Sequence, residues 1–218
     1  MTCRIIHQMW DDVDMPESCR SYADTWTRHN PKWEYMLWSN DNIQELLDSD
    51  YGWFRDTYNN YEYDICRWDA ARYFILHKYG GLYCDVDIEC FRSVDDLFKE
   101  HPVVFDENPG DYNESVLTNS IYYTLPGCRF MHRCMKHLSV QVAQRKPRDD
   151  PNKFVIRSTG PEFMTAMYYK WKHITGIEHK SHIHFERLRR DLRAEADSSY
   201  VPEKDEYGIH RSMGTWVM

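Results

Sequence analysis

Three features are scarce in this sequence, beginning with long hydrophobic runs. No apolar run approaches the roughly 20 residues that a membrane-spanning helix needs, and the mean hydropathy is -0.76. The opening residues Met1 to Arg4 do not resemble a signal peptide. We therefore expect a globular protein without a membrane span.

Positive charge and paired cysteine motifs are also scarce. The net charge of -8 argues against a nucleic-acid partner, because binding phosphates requires a basic surface. The seven cysteines include no Cys-x-x-Cys pair, and their odd number leaves at least one thiol unpaired in a monomer. This pattern favours reduced thiols and a cytoplasmic location.

The first fifty residues alternate between strand patterns and helix patterns. Strands are predicted over residues 4–10 and 33–38, and helices over residues 17–28 and 40–47. Asn40 or Asp41 can cap the second helix. This alternation favours a parallel α/β sheet, whose ligand site lies at the carboxyl ends of its strands.

The most informative segment lies between residues 63 and 90. Apolar side chains at helical spacing predict a helix over residues 64–79, and Gly80 and Gly81 provide its stop. A buried strand is expected to start at Leu82 and to run through Asp85 and Asp87. Two carboxylates two positions apart in extended chain project to the same side, where both can reach one hard cation.

The Asp-Val-Asp tripeptide is weak evidence by itself, because this chain contains it twice. The first copy, Asp12 to Asp14, lies in a polar segment before Pro16 and is typical of a solvated turn. Asp85 and Asp87 have apolar neighbours instead, so burial without a counter-charge would be costly. Mg²⁺ or Mn²⁺ suits such oxygen ligands, although a solvent-facing pair at a strand end remains the alternative.

Asp69 and Arg72 lie one helical turn apart and point the same way. An ordinary surface ion pair, worth less than about 1 kcal/mol, is what the spacing alone favours. A functional alternative places both side chains in a donor pocket. The remaining segments predict a helical turn over 93–98, a strand over 103–105, helices over 128–143 and 161–171, and polar loops over 106–114 and 146–152.

A longer pattern surrounds the second tripeptide: Asp69-Ala-Ala-Arg72-Tyr73, then Leu76, Tyr79-Gly80-Gly81, Tyr83 and Asp85-Val86-Asp87. This pattern resembles the DXD region of glycosyltransferase family 32, and is similar to the glucosylating domain of large clostridial toxins. Shorter matches to the family occur at residues 5–10, 30–38, 119–120, 159–161 and 210–216.

The resemblance implies a GT-A fold, which is an α/β architecture with a mixed, mostly parallel sheet flanked by helices. It implies one domain over residues 1–218, with a nucleotide-sugar half (1–105) and an acceptor side with a closing loop (106–218). The implied activity is metal-dependent, retaining transfer of a sugar from a nucleotide-sugar donor to a glycan or glycoprotein acceptor. UDP is favoured over GDP in the donor, and Mn²⁺ or Mg²⁺ is the implied cofactor.

Eight residues acquire roles through the resemblance, and none of them is a nucleophile. On the nucleotide-sugar side, Trp10 is expected to contact the base and ribose, Asp69 and Arg72 the donor sugar, and Tyr83 the donor. On the metal side, Asp85 is expected to contact the ribose or the metal, Asp87 to ligate the metal, and His210 to contact the metal or the diphosphate. Trp216 is expected to close over the donor.

Two other functions compete with this interpretation. A phosphohydrolase of the haloacid dehalogenase type would use Asp85 as its nucleophile, but such enzymes place the motif on their first strand and follow it with Thr or Val rather than Ile88-Glu89. A nucleotide- or carbohydrate-binding module without turnover is the second alternative. Donor hydrolysis or transfer with Mn²⁺ distinguishes the three.

Overall fold

The computed structural model describes residues 3–11, 15–98, 103–108, 116–141, 150–175, 186–187 and 207–211. Its helices are α1 (Glu17–His29), α2 (Asn40–Asp50), α3 (Arg55–Asn59), α4 (Asp64–Tyr79), α5 (Arg129–Gln141), α6 (Pro151–Ser158) and α7 (Pro161–Thr175), with a 3₁₀ turn at Gly52–Phe54. Its strands are β1 (Ile5–Met9), β2 (Glu34–Trp38), β3 (Gly81–Cys84), β4 (Ile88–Cys90), β5 (Val103–Asn108), β6 (Val116–Thr124), β7 (Glu186–Arg187) and β8 (Gly208–His210).

The main sheet has five strands in the order β2-β1-β3-β6-β5. Strand β1 pairs in parallel with β2 and β3, whereas β6 pairs antiparallel with both β3 and β5. Strand β5 therefore runs in the same direction as β3, and β6 alone is reversed. This arrangement confirms the predicted mixed, mostly parallel sheet with flanking helices. A small second sheet has the order β4-β8-β7.

Side chains of β3 alternate between the two faces of the main sheet. Tyr83 belongs to the larger apolar cluster, which also contains residues of α2, α4, α5 and α7. Leu82 and Cys84 belong to a second cluster, which contains Trp26 of α1 and Ile88 of β4. This alternation is that of an extended chain, and it buries β3 completely between two layers.

Helix α4 is the central helix, and the two glycines after it determine where β3 begins. Residues 69–76 of α4 are all buried. Gly80 and Gly81 have φ angles of 65° and 95°, which side chains other than glycine rarely adopt. A Cβ added to Gly81 would lie 2.4 Å from the carbonyl oxygen of Ile5. The glycines therefore let the chain pass close to Ile5, so that β3 lies alongside β1. They end α4 where the sequence predicted its stop.

Several elements differ from their sequence predictions. Ser39 caps α2, since its backbone N–H and side chain exchange hydrogen bonds with Asn42, so the predicted caps at Asn40 or Asp41 are wrong. Strand β6 and helix α6 had no predicted counterpart. The predicted boundary between residues 105 and 106 falls inside β5.

Candidate active site

The Asp-Val-Asp motif lies where β3 ends and the chain crosses to the second sheet. The Asp85 N–H donates to the Ser120 carbonyl of β6 at 2.8 Å, and the Ile88 N–H donates to the Asp85 carbonyl at 3.1 Å. Val86 and Asp87 thus form a turn. The predicted continuous strand through these residues is wrong, because a turn, and not strand alternation, brings the two carboxylates together.

His210 completes a cluster with these carboxylates. Strand β8 pairs antiparallel with β4, which aligns His210 with Ile88. Its Nε2 atom lies 3.5 Å from Asp87 Oδ1 and 4.0 Å from Asp85 Oδ2. One ligand atom from each of the three residues lies within 4.8 Å of the others. Two carboxylates and an imidazole on one side of a turn fit a divalent cation such as Mn²⁺.

An ion pair holds β8 against the motif. The Arg211 N–H donates to the Asp87 carbonyl at 2.8 Å, and the Arg211 guanidinium donates to Glu89 of β4 through Nε at 3.0 Å. Both contacts keep His210 beside Asp87. Sequence reasoning gave neither Arg211 nor Glu89 a role, although Arg211 lies in the family-like segment 210–216.

Arg72 connects helix α4 to the carboxylate cluster. Its Nη1 lies 2.8 Å from Asp69 Oδ1 and its Nη2 lies 3.2 Å from Asp85 Oδ1. The side chains of Arg72 and Asp69 are only 7% and 3% exposed. The surface ion pair that the spacing favours is therefore wrong, because α4 is buried between the sheet and α5.

Two residues beyond the motif fix the Asp69 carboxylate. Asn119 Nδ2 donates to Oδ1 at 2.9 Å, and Thr159 Oγ1 donates to Oδ2 at 2.8 Å. Burial raises the pKa of Asp69 to about 6, although Arg72 and these hydrogen bonds lower it. Arg72 Nη1 also donates to the Asn119 carbonyl at 2.8 Å. Asn119 and Thr159 lie in the short family-like segments of the sequence, which was their only signal.

Tyr83 and Asp85 form the other side of this network. The Tyr83 hydroxyl donates to Asp85 Oδ1 at 2.6 Å, and the Arg72 guanidinium carbon lies 4.8 Å from the centre of the Tyr83 ring. Burial raises the pKa of Asp85, Arg72 opposes that rise, and the Asp87 carboxylate adds to it. A cation bound between Asp85 and Asp87 would relieve this repulsion.

Strand β1 positions the backbone of the motif. Gln8 is buried, and its Nε2 donates to the Asp85 carbonyl at 3.1 Å. Tyr35 of β2 donates in turn to Gln8 Oε1 at 2.8 Å. This polar chain across three strands fixes the end of β3. Sequence reasoning gave Gln8 and Tyr35 no role, although they lie in the family-like segments 5–10 and 30–38.

Trp10 follows β1 and lies beside the motif. Its ring packs against a small cluster that contains Val86, Met15 and Cys19. Its indole N–H is buried and donates to no acceptor among the described residues. Trp216 and the first Asp-Val-Asp copy (12–14) lie outside the described residues.

Comparison with protein families gives one match that includes this site. The model described as "Glycosyltransferase sugar-binding region containing DXD motif" matches residues 16–104. The matched segment of this chain therefore resembles the DXD glycosyltransferases of family 32. The matched range contains five of the eight predicted site residues: Asp69, Arg72, Tyr83, Asp85 and Asp87.

Two of the curated relatives of this chain are yeast proteins. The chain is 32% identical to inositol phosphoceramide mannosyltransferase 3 of Schizosaccharomyces pombe over 83% of its own length and 48% of that protein. It is 31% identical to mannosyl phosphorylinositol ceramide synthase SUR1 of Saccharomyces cerevisiae over 78% of its own length and 42% of that protein. The chain thus spans less than half the length of these relatives.

A solved structure supports a glycosyltransferase-like fold for this chain. PaToxG glycosyltransferase superposes with a TM-score of 0.58 at 12% identity, covering 80% of this chain and 71% of that one. Together with the sheet order, this likeness confirms the predicted GT-A fold. No described helix is long and apolar enough to cross a membrane.

Proposed function

We propose that this chain is a metal-dependent, retaining glycosyltransferase in which Asp85, Asp87 and His210 bind Mn²⁺ or Mg²⁺. The convergence of their ligand atoms within 4.8 Å, from segments more than 120 residues apart in the chain, is the observation that supports it. When bound, the cation would stabilise negative charge on the departing nucleoside diphosphate.

Arg72 has two tasks in this proposal. It holds Asp69 and Asp85 in fixed positions through its two Nη atoms, and it supplies a permanent positive charge next to the metal ligands. Its buried Nε–H has no hydrogen-bond partner among the described residues. We propose that it donates to an oxygen of the nucleotide-sugar donor. A preorganised cation in a buried site stabilises developing negative charge more strongly than one in water.

Asp69 acts on the sugar side of the site. Three donors already bind its two oxygens, which leaves capacity on Oδ2 for one sugar hydroxyl. Because these donors hold the carboxylate rigidly, we propose that Asp69 orients the donor sugar rather than attacking it. Retention then follows from attack of the acceptor hydroxyl on the face that the diphosphate leaves, without an enzyme nucleophile.

Trp10 and Tyr83 complete the proposed donor site. The Trp10 ring packs beside Val86 of the metal-binding turn and offers an aromatic surface for the base and ribose. Tyr83 contacts Asp85 directly, so it positions that carboxylate for the ribose or the cation. Trp216 is proposed to close over the bound donor.

The names of the relatives suggest what is transferred. Proteins about 30% identical to this chain are named as mannosyltransferases that act on inositol phosphoceramide. We therefore propose mannose as the first sugar to test and a phosphoinositol-bearing glycolipid as the first acceptor, beside the glycan and glycoprotein acceptors expected from the sequence. A UDP-sugar remains the donor predicted from the sequence, with a GDP-sugar as its competitor.

A donor panel tests these assignments. The intact chain would be incubated with UDP-glucose, UDP-galactose, UDP-mannose and GDP-mannose, each with Mn²⁺, Mg²⁺ or EDTA, and with each acceptor class. We expect transfer or slow donor hydrolysis with one donor and a metal, none with EDTA, and an unchanged anomeric configuration by NMR. Nucleotide binding without any turnover would identify a binding module, and release of inorganic phosphate from a phosphomonoester would identify a phosphohydrolase.

The cytoplasmic location expected from the sequence belongs to the same proposal. Reduced thiols support it: all seven cysteines are free, and five of them are buried. Fractionation of cells that express the tagged chain tests the location, and recovery in a membrane-bound compartment would contradict it.

A further inference from the structure

A cleft with a volume of about 530 Å³ lies between the end of α4, helix α5 and helix α7. The cleft shares no lining residue with the metal and donor site described above. His77, which lines the cleft, lies about 8 Å along α4 from Arg72 at the helical rise of roughly 1.5 Å per residue. The volume is within the range of roughly 300–1,000 Å³ typical of small-molecule sites.

Positive charge is concentrated in this cleft although the chain is acidic overall. The lining includes Arg129, Arg133 and Lys136, together with three imidazoles and the Trp171 ring. The sequence contains no Asp or Glu between Glu114 and Asp149. Among the described residues, none of these three cations forms an ion pair with a carboxylate.

Aromatic rings hold two of the cations without neutralising them. The Arg133 guanidinium lies 4.1 Å from the centre of the Trp171 ring, and the Lys136 ammonium lies 3.8 Å from the centre of the Trp53 ring. Cation–π contacts of this kind restrict a side chain while its full charge persists. Both groups are thus preorganised for an anion.

Two imidazoles of the cleft have lowered pKa values, with burial as the main cause. His77 and His132 lie with ring centres 5.5 Å apart. Burial and the neighbouring His132 lower the pKa of His77, and burial, Lys136 and Arg133 lower the pKa of His132. The Tyr51 hydroxyl lies 2.7 Å from His77 Nδ1 and fixes the His77 ring. A bound anion would oppose the lowering of both pKa values.

We propose that this cleft is a second binding site, separate from the donor site, and that it takes a phosphate monoester or diphosphate group. A doubly charged phosphate group offers several acceptor oxygens and matches three cations that line one cleft better than one carboxylate does. The group belongs either to a soluble phosphate compound or to a phosphorylated lipid headgroup.

Calorimetric titration of the intact chain with pyrophosphate, in EDTA, tests the site itself. The test variant is Arg133→Gln with Lys136→Gln, and the matched control is Arg28→Gln with Lys32→Gln, which removes the same charge from exposed positions on another part of the surface. Because each charge-assisted hydrogen bond is strong, we expect affinity at least about tenfold weaker in the test variant. The control should bind as the parent does.

Three further measurements make the outcome decisive. Asp87→Asn should leave pyrophosphate binding in EDTA unchanged, and equal melting temperatures of the test variant and parent would exclude misfolding. Flotation with phosphatidylcholine vesicles, with and without phosphatidylinositol 4-phosphate, distinguishes a lipid headgroup from a soluble ligand. Vesicle binding that needs both the phosphorylated lipid and Arg133 identifies a headgroup as the ligand. Binding of pyrophosphate without vesicle binding identifies a soluble phosphate compound. The proposal would be overturned if the test variant and the control bound pyrophosphate with equal affinity, or if Asp87→Asn lost pyrophosphate binding. Binding to phosphatidylserine vesicles as strong as binding to phosphatidylinositol 4-phosphate vesicles would also overturn it.

Discussion

Single residues determine the electrostatics of the site, and Arg72 contributes most. Its guanidinium contacts two carboxylates from a buried position, and a lysine ammonium cannot reach both in the same geometry. We expect Arg72→Lys to destabilise the fold by about 2–4 kcal/mol, because a buried charge loses a partner. Transfer should fall at least about 100-fold. Urea denaturation and steady-state kinetics measure the two effects.

Helix α4 supplies a matched control for this prediction. Arg67 pairs with Asp64 at the same spacing, but these side chains are 29% and 72% exposed. Arg67→Lys should therefore change stability by less than about 1 kcal/mol and leave transfer unchanged. Similar losses in both variants would show that the Arg72 contacts have no special role.

A second residue-scale prediction concerns the metal ligand Asp87. We expect Asp87→Ala to abolish transfer and the melting shift that Mn²⁺ with nucleotide produces, while the metal-free protein keeps its melting temperature because carboxylate repulsion decreases. Asp14→Ala, in the other copy of the tripeptide, is the control and should behave as the parent. A ligand-induced shift of normal size in Asp87→Ala would show that Asp87 does not bind the cation.

The pKa of Asp69 gives a third prediction, on the pH dependence of stability. Its folded-state pKa of about 6 lies above the ordinary value of 3.8, so the folded protein binds a proton more tightly than the unfolded chain. Stability should fall as pH rises from about 4 to about 6, by roughly 3 kcal/mol relative to Asp69→Asn. Parallel stability curves for the two proteins across this range would contradict it.

At the scale of elements, the turn from α4 into β3 gives a prediction about folding stability. Gly81→Ala should destabilise the fold by about 2 kcal/mol or more, since its backbone is left-handed and its Cβ would meet the Ile5 carbonyl. Gly52→Ala is the control, because a Cβ there meets nothing within 4 Å. Equal urea midpoints for the two variants would contradict this account of the turn.

Elements differ in how well the sequence predicts them. Helix α4 matches its predicted bounds because apolar periodicity and the Gly-Gly stop agree. Strand β6 went unpredicted because its middle, Thr118 to Ser120, is polar. Asn119 there binds Asp69 and Arg72, so the feature that obscured the strand is part of the site.

At the scale of the whole molecule, the site depends on contacts that local sequence does not encode. Spacing placed Asp69 and Arg72 on one helix face, but their burial comes from packing of α4 between the sheet and α5. The family match ends at residue 104, whereas Asn119, Thr159 and His210 reach the site from beyond it. The pairing of β6 with β3 brings Asn119 to Asp69, and the pairing of β8 with β4 brings His210 to Asp85. Thr159 reaches Asp69 from the end of α6.

The chain end gives the last prediction at this scale. Strand β8 pairs with β4 and buries Ile209, so deletion of residues 212–218 keeps His210 in place and removes Trp216. We expect the ligand-free melting temperature to stay unchanged, nucleotide affinity to weaken and transfer to fall at least about tenfold, because the indole no longer excludes water from the donor. The full-length variant Trp216→Phe should keep more activity than the truncated chain, because its phenyl ring still covers the donor. If the truncated chain melts at a clearly lower temperature without ligand, the segment stabilises the core and does not act as a lid.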